Sequence, residues 1–118
     1  MHDLVAETGD GRVYQFVLRR FTDREWLARE PDLAAREAEA LTLLEATPLV
    51  TPRLIAVDQT AAHCDVPAVL MSRVPGAPLA APDDLDGFVR RLAEPLAVIH
   101  ELVLPTTTAI PPYRPYDI

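Results

Sequence analysis

Glu37 is the first residue of this sequence that could carry chemistry. It lies four residues from both Leu33 and Leu41, so on a helix it projects from the middle of an apolar stripe. A carboxylate there is costly unless a cation meets it. The preceding segment offers Arg19 or Arg20. Two readings follow from the residues alone: a solvated Glu on a poorly packed helix, or an interior Arg–Glu pair between strand and helix. Other clusters have the right residue types but the wrong spacing. His63-Cys64-Asp65 holds the members of a nucleophilic trio, yet adjacent residues cannot fold onto one another in triad geometry, so the segment reads as a loop. There is no Cys-x-x-Cys, and His100-Glu101 lacks the second His of a zincin. His100 sits beside an apolar stripe and reads as a packing residue. Asp83, Asp84 and Asp86 suit the start of a helix better than a metal. Tyr113 and Tyr116 read as ordinary loop residues of a Pro-rich tail.

The elements that must position Glu37 can be read on either side of it. Residues 4–21 form a hairpin around Gly9-Asp10-Gly11. Its second strand alternates, with Val13, Gln15, Val17, Arg19 and Phe21 on one face and Tyr14, Phe16, Leu18 and Arg20 on the other. Each face carries an arginine near its end, so the pattern does not say which is buried. Thr22-Asp23-Arg24-Glu25 matches a capping box and starts a short helix. Pro31 interrupts it and can open a second helix at its first turn, over about 32–46. Leu33, Leu41 and Leu44, with Ala34, Ala38 and Ala40, make that helix's stripe, while Arg36 and Glu39 point elsewhere. Short strands follow at 53–57 and 68–72, separated by a polar stretch, and Pro75-Gly76-Ala77-Pro78 is a tight turn. A third helix starts near Asp83 or Asp84. Leu85, Phe88, Leu92, Leu96, Ile99 and Val103 continue its stripe past Pro95, which should kink or break it. From Pro105 the sequence has no periodicity and reads as extended or disordered.

Composition narrows the class. The chain has 118 residues, 49% hydrophobic and 25% charged, the balance of one soluble globular domain. Its net charge of −7 argues against a nucleic-acid partner. No run approaches the roughly 20 apolar residues of a membrane span, and no basic segment precedes an apolar one as in a secretory signal. The single Cys64 cannot form an internal disulfide, which favours a reducing, cytoplasmic setting. Twelve prolines against four glycines, most of them after residue 47, indicate a loop-rich second half.

The order of elements is that of a protein-kinase-like N-terminal lobe: a strand ending in a basic residue, a helix with an inward Glu, two strands, then a Met-x-x-x-Pro-Gly turn. The local wording is similar to one branch. Val17-Leu18-Arg19-Arg20, Arg36-Glu37-Ala-Glu-Ala-Leu41, Val50-Thr51-Pro52, Val69-Leu70-Met71-Ser72-Arg73-Val74-Pro75-Gly76 and Leu96-Ala-Val-Ile-His100-Glu-Leu102 resemble the aminoglycoside phosphotransferase family over residues 5–104. The resemblance implies an α+β fold, an antiparallel sheet with the Glu37 helix packed on it, followed by the first helix of a C-terminal lobe. It divides the chain into an N-lobe part over 1–74 and a hinge exit, helix and connector over 75–118.

The resemblance also implies roles. Arg19 matches the basic residue that touches the α- and β-phosphates of ATP, and Arg suits bidentate contact. Glu37 matches the helix Glu that orients that cation. Val17 matches the small apolar residue against the adenine, and Met71 the gatekeeper at the strand end. Ser72 and Val74 match the hinge, whose backbone groups read the adenine edge. Gly76 matches the turn into the second lobe. Two departures limit the activity implied. The phosphate-covering loop that precedes the second strand is absent, and Gly9 and Gly11 belong to the next turn. The catalytic His-Gly-Asp segment and a later metal-binding Asp are absent too, so Mg²⁺ is expected only in a full-length parent. The reading is therefore a partial ATP site in a truncated N-lobe fragment of a small-molecule phosphotransferase, inactive alone. Its apolar helix over 83–104 is expected to be exposed and open to self-association. Two rivals remain: a non-enzymatic binding or regulatory module derived from the same lobe, and an unrelated small acidic α+β protein in which Arg19–Glu37 is only structural.

Overall fold

The computed structural model describes residues 1–78 and 81–104. The hairpin forms as read: β1 (His2–Glu7) and β2 (Val13–Arg20) pair antiparallel from His2 opposite Leu18 to Glu7 opposite Val13. Its turn is closed by Gly11 N–H donating to the Thr8 carbonyl (2.9 Å), with Gly11 at φ 81° where a side chain would be strained. β3 (Leu54–Asp58) and β4 (Ala68–Ser72) complete a four-stranded sheet in the order β1-β2-β4-β3, antiparallel throughout. β4 takes a central place because it is the most apolar strand, and Val69 is fully buried. β3 starts one residue later than expected and is bulged, since Leu54 opposes Met71 while Ala56 opposes Leu70. Ile55 is the extra residue and is exposed.

α1 (Arg24–Arg29) is capped by Asp23, whose carboxylate accepts the Trp26 N–H at 2.9 Å. The N-cap is therefore Asp23 and not Thr22, and the expected capping box does not form, since Trp26 stands three residues on. α2 (Leu33–Glu45) begins after Pro31, with Asp32 as its N-cap residue, so Pro31 precedes the helix instead of opening it. Asp32 and Glu30 both accept from the Arg36 guanidinium, at 2.8 and 3.2 Å, which pins the α1–α2 junction and turns Arg36 away from the sheet. α2 lies over β3 and β4. Ala34, Ala38 and Leu41 are buried beneath it, with Leu33 against the core, but Ala40 is exposed and does not belong to the stripe. The core is Phe21, Ala34, Leu41, Val69 and Met71, fringed by Val17, Leu27, Leu33, Leu54 and Val57.

These contacts settle which face of β2 is inward. Val17 opposes Met71 and Arg19 opposes Val69, so the face holding Val17, Arg19 and Phe21 is the one that α2 helps to cover. After β4 the chain bends at Pro75, with Gly76 at φ 133°, and runs on without a closed turn. α3 (Leu85–His100) is capped by Asp84, which accepts the Gly87 N–H at 3.0 Å. It is shorter than the 83–104 expected, and Pro95 does not break it. Strong helix formers on both sides, Leu92-Ala93-Glu94 and Leu96-Ala97, carry the helix through the one missing N–H. The Pro-rich tail from Pro105 lies outside the described residues.

Candidate functional site

Glu37 has its cation. Its Oε2 lies 2.7 Å from a terminal nitrogen of Arg19, and the two side chains are 20% and 34% exposed respectively. That half-buried setting excludes the solvated reading. Strand alternation explains the choice of arginine. Arg19 shares the α2-covered face with Val17, whereas Arg20 points to the opposite face and pairs with Asp65 at 2.5 Å. The Arg19 guanidinium also sits 5.0 Å from the centre of the Phe21 ring, in cation–π range. Carboxylate and ring together hold the guanidinium on a face where it would otherwise be free to swing.

Around this pair the sheet face divides in two. Toward α2, Val69 and Met71 are buried. Away from α2, Val13 and Gln15 are exposed and Val17 is half-buried, so an open strip runs along β2 beside Arg19. Met71, directly across from Val17, closes the back of that strip. Ser72 faces the other way: its hydroxyl accepts the Arg53 N–H at 2.8 Å, and its own N–H donates to the Arg53 carbonyl at 2.9 Å. The Arg73 N–H donates to the Gln15 carbonyl at 3.2 Å, which ties the strand exit to the open strip. Val74 follows, half-buried. The structure thus brings Val17, Arg19, Glu37 and Met71 onto one face. Ser72 and Val74 lie at its edge as backbone positions.

The His63-Cys64-Asp65 segment is built as a loop. The Asp58 carboxylate accepts the backbone N–H groups of Ala62, His63 and Cys64 at 2.8, 2.9 and 2.7 Å. Those three hydrogen bonds, the Cys64 one foremost, hold Asp58 at a pKa of about 2. Desolvation and then the neighbouring Asp58 carboxylate push the Cys64 thiol up, which favours its protonated form. Asp58 was missing from the sequence-based reading. Its bonds reach four to six residues ahead, beyond the two-residue span of an Asx turn. The Arg36 cluster was missed for a related reason, since its Glu30 partner sits on the far side of a helix break. Among the described residues, no group of three His, Cys, Asp or Glu side chains could hold a metal ion, and no helix is long and apolar enough to cross a membrane.

An antiparallel sheet, one helix laid on it and a strand-to-helix Arg–Glu pair define a kinase-like N-terminal lobe. The chain belongs to the APH phosphotransferase enzyme family, whose family model matches residues 4–117. Neither the curated proteins nor the solved structures searched give a match to it.

Proposed function

We propose that this chain carries the nucleotide-binding half of an ATP-dependent phosphotransferase acting on a small-molecule hydroxyl, and that these 118 residues do not turn over alone. The observation that carries the reading is the 2.7 Å Arg19–Glu37 pair. Arginine has five N–H donors in a planar fork. Glu37 holds one edge, and the rest of the fork is free to grip phosphate oxygens in pairs. The strip of Val13, Gln15 and Val17 offers a flat apolar and amide surface for a purine, with Met71 behind it. The Ser72 carbonyl and the Val74 N–H are the backbone groups that would read the adenine edge.

Transfer of the γ-phosphoryl needs a base that takes the acceptor proton and carboxylates that hold Mg²⁺. In this family those come from a His-Gly-Asp segment and a later Asp, and neither occurs in these residues. Mg²⁺ binding would need those carboxylates. A cytoplasmic setting suits both ATP use and a lone exposed thiol at Cys64. The exposed apolar side chains of α3 favour one second reading: a binding module without turnover, built on the same lobe and acting through a partner. Titration with a fluorescent ATP analogue separates the two. The phosphotransferase reading expects weak saturable binding, retained in part by Arg19→Lys and lost in Arg19→Ala. Binding that persists in Arg19→Ala overturns the assigned site. A defined oligomer with no nucleotide binding favours the module.

A further inference from the structure

Arg36, the residue before Glu37, is held by two carboxylates that straddle a helix break. One terminal nitrogen of its guanidinium donates to Asp32 Oδ1 at 2.8 Å and to Glu30 Oε2 at 3.2 Å. Glu30 closes α1, its N–H donating to the Trp26 carbonyl at 2.8 Å. Asp32 is the N-cap residue of α2, and Pro31 stands between the two. The cluster is built for geometry more than for stability. Two carboxylates share one nitrogen, while Arg36 Nε is buried with no hydrogen-bond partner among the described residues. The Asp32 carboxylate meets Arg36 and makes no capping bond to the first turn, which is the usual use of an N-cap aspartate. Its carbonyl accepts the Arg36 N–H at 2.9 Å, so the two residues are joined through main chain and side chain alike.

α2 needs such a fixture because its apolar contacts near Glu37 are small. The buried residues on either side of Glu37 are Ala34 and Ala38, with Leu33 only partly covered, and the first large buried one, Leu41, comes a turn later. Methyl groups key a helix only weakly against rotation about its own axis. A rotation of roughly 20° carries a side-chain tip, about 6 Å from the axis, through about 2 Å. That is enough to part the 2.7 Å contact between Glu37 and Arg19. Successive helical side chains stand about 100° apart in a fixed relation, so a hold on Arg36 is a hold on Glu37. We propose that Arg36 is a positioning residue for phosphate binding: bridging Glu30 and Asp32 across Pro31, it fixes the rotation at which α2 presents Glu37 to Arg19. This role rests on the reading of Arg19 as the residue that grips phosphate, and Arg36 acts through Glu37.

Nuclear magnetic resonance of the 118-residue chain, with ATP titration beside it, tests this. In the wild type the Arg19 guanidinium N–H resonances should be resolved and slow to exchange with water, because Glu37 and Phe21 immobilise the group. Arg36→Met keeps the apolar stem and removes the donors. It should leave the far-UV circular dichroism spectrum unchanged, speed that exchange about tenfold and weaken ATP binding about tenfold. Arg36→Lys, which keeps a charge within reach of one carboxylate, should fall between. In a Glu37→Gln background, Arg36→Met should change ATP affinity by less than about twofold. Asp32→Asn retains a good N-cap without the charge, and it should repeat the loss of Arg19 protection even where Arg36→Met fails to fold. Arg19 resonances that are the same in the wild type and in the folded variants overturn the proposal. So does an ATP defect of Arg36→Met that is undiminished in the Glu37→Gln background. A wild-type chain that binds no ATP overturns the nucleotide reading instead, and the Arg19 resonances then decide whether Arg36 positions the pair.

Discussion

Arg19 and Glu37 form a pair whose energetics lie between those of surface and core. An exposed pair contributes little, and a fully buried one leaves a large penalty when broken. With side chains 34% and 20% exposed, the loss of Glu37 should leave the guanidinium half-desolvated against Phe21. Glu37→Ala is expected to lower stability by about 1–2 kcal/mol, read as a shift of the urea midpoint. The Arg19→Ala, Glu37→Ala double variant should cost less than the two single changes added together. Asp58 makes a separate, pH-dependent prediction. Its folded pKa of about 2 lies below the unfolded value near 3.8, because the charged carboxylate accepts three N–H groups. The folded state therefore binds fewer protons than the unfolded state. Stability from this group is complete above roughly pH 4 and is lost as pH falls toward about 2. Thermal melts of Asp58→Asn should show a lower midpoint at neutral pH and a shallower fall across that window.

At the scale of elements, α2 is held by what it buries, and among the described residues α3 buries nothing comparable. Leu41 is 8% exposed and plugs the helix into Val69 and Met71 on the sheet. Leu41→Ala should cost about 2–5 kcal/mol, by lost transfer energy and the cavity left behind, measured by chemical denaturation. Asp23→Ala removes the α1 cap and should cost about 1 kcal/mol by the same measurement. Strands and helices were legible in the sequence where period and flanking residues agreed. β4 was read to the residue, since Ala68–Ser72 is an apolar run bounded by Pro67 and a polar exit. The orientation of β2 was not legible, because Arg19 and Arg20 gave both faces an arginine. Val69 and Met71, some 50 residues later, supplied the missing partner face. Local wording also set the α1 cap one residue early and put Pro31 in the first turn of α2, which it precedes. Thr22 and Asp23 are both good N-cap residues, and the helix starts from Asp23, whose carboxylate accepts the Trp26 N–H.

Across the described residues α2 covers one face of a small sheet, and two surfaces are exposed. One is the strip along β2 beside Arg19. The other is the apolar side of α3. Of the six positions tied to nucleotide binding by resemblance, helix spacing singled out Glu37 and left its partner as Arg19 or Arg20, while Val17 and Met71 rested on the resemblance alone. Ser72 and Val74 act through backbone groups, which side-chain patterns do not reveal. The engagement of Ser72 with Arg53 emerged only once β3 and β4 were seen in register. The most direct test of the account is calorimetric titration of the chain with ATP, run in parallel on Arg19→Ala. The account predicts saturable one-to-one binding by the wild-type chain and none by the variant, with both proteins giving the same circular dichroism spectrum. Equal binding by the two folded proteins, or none by either, would contradict it.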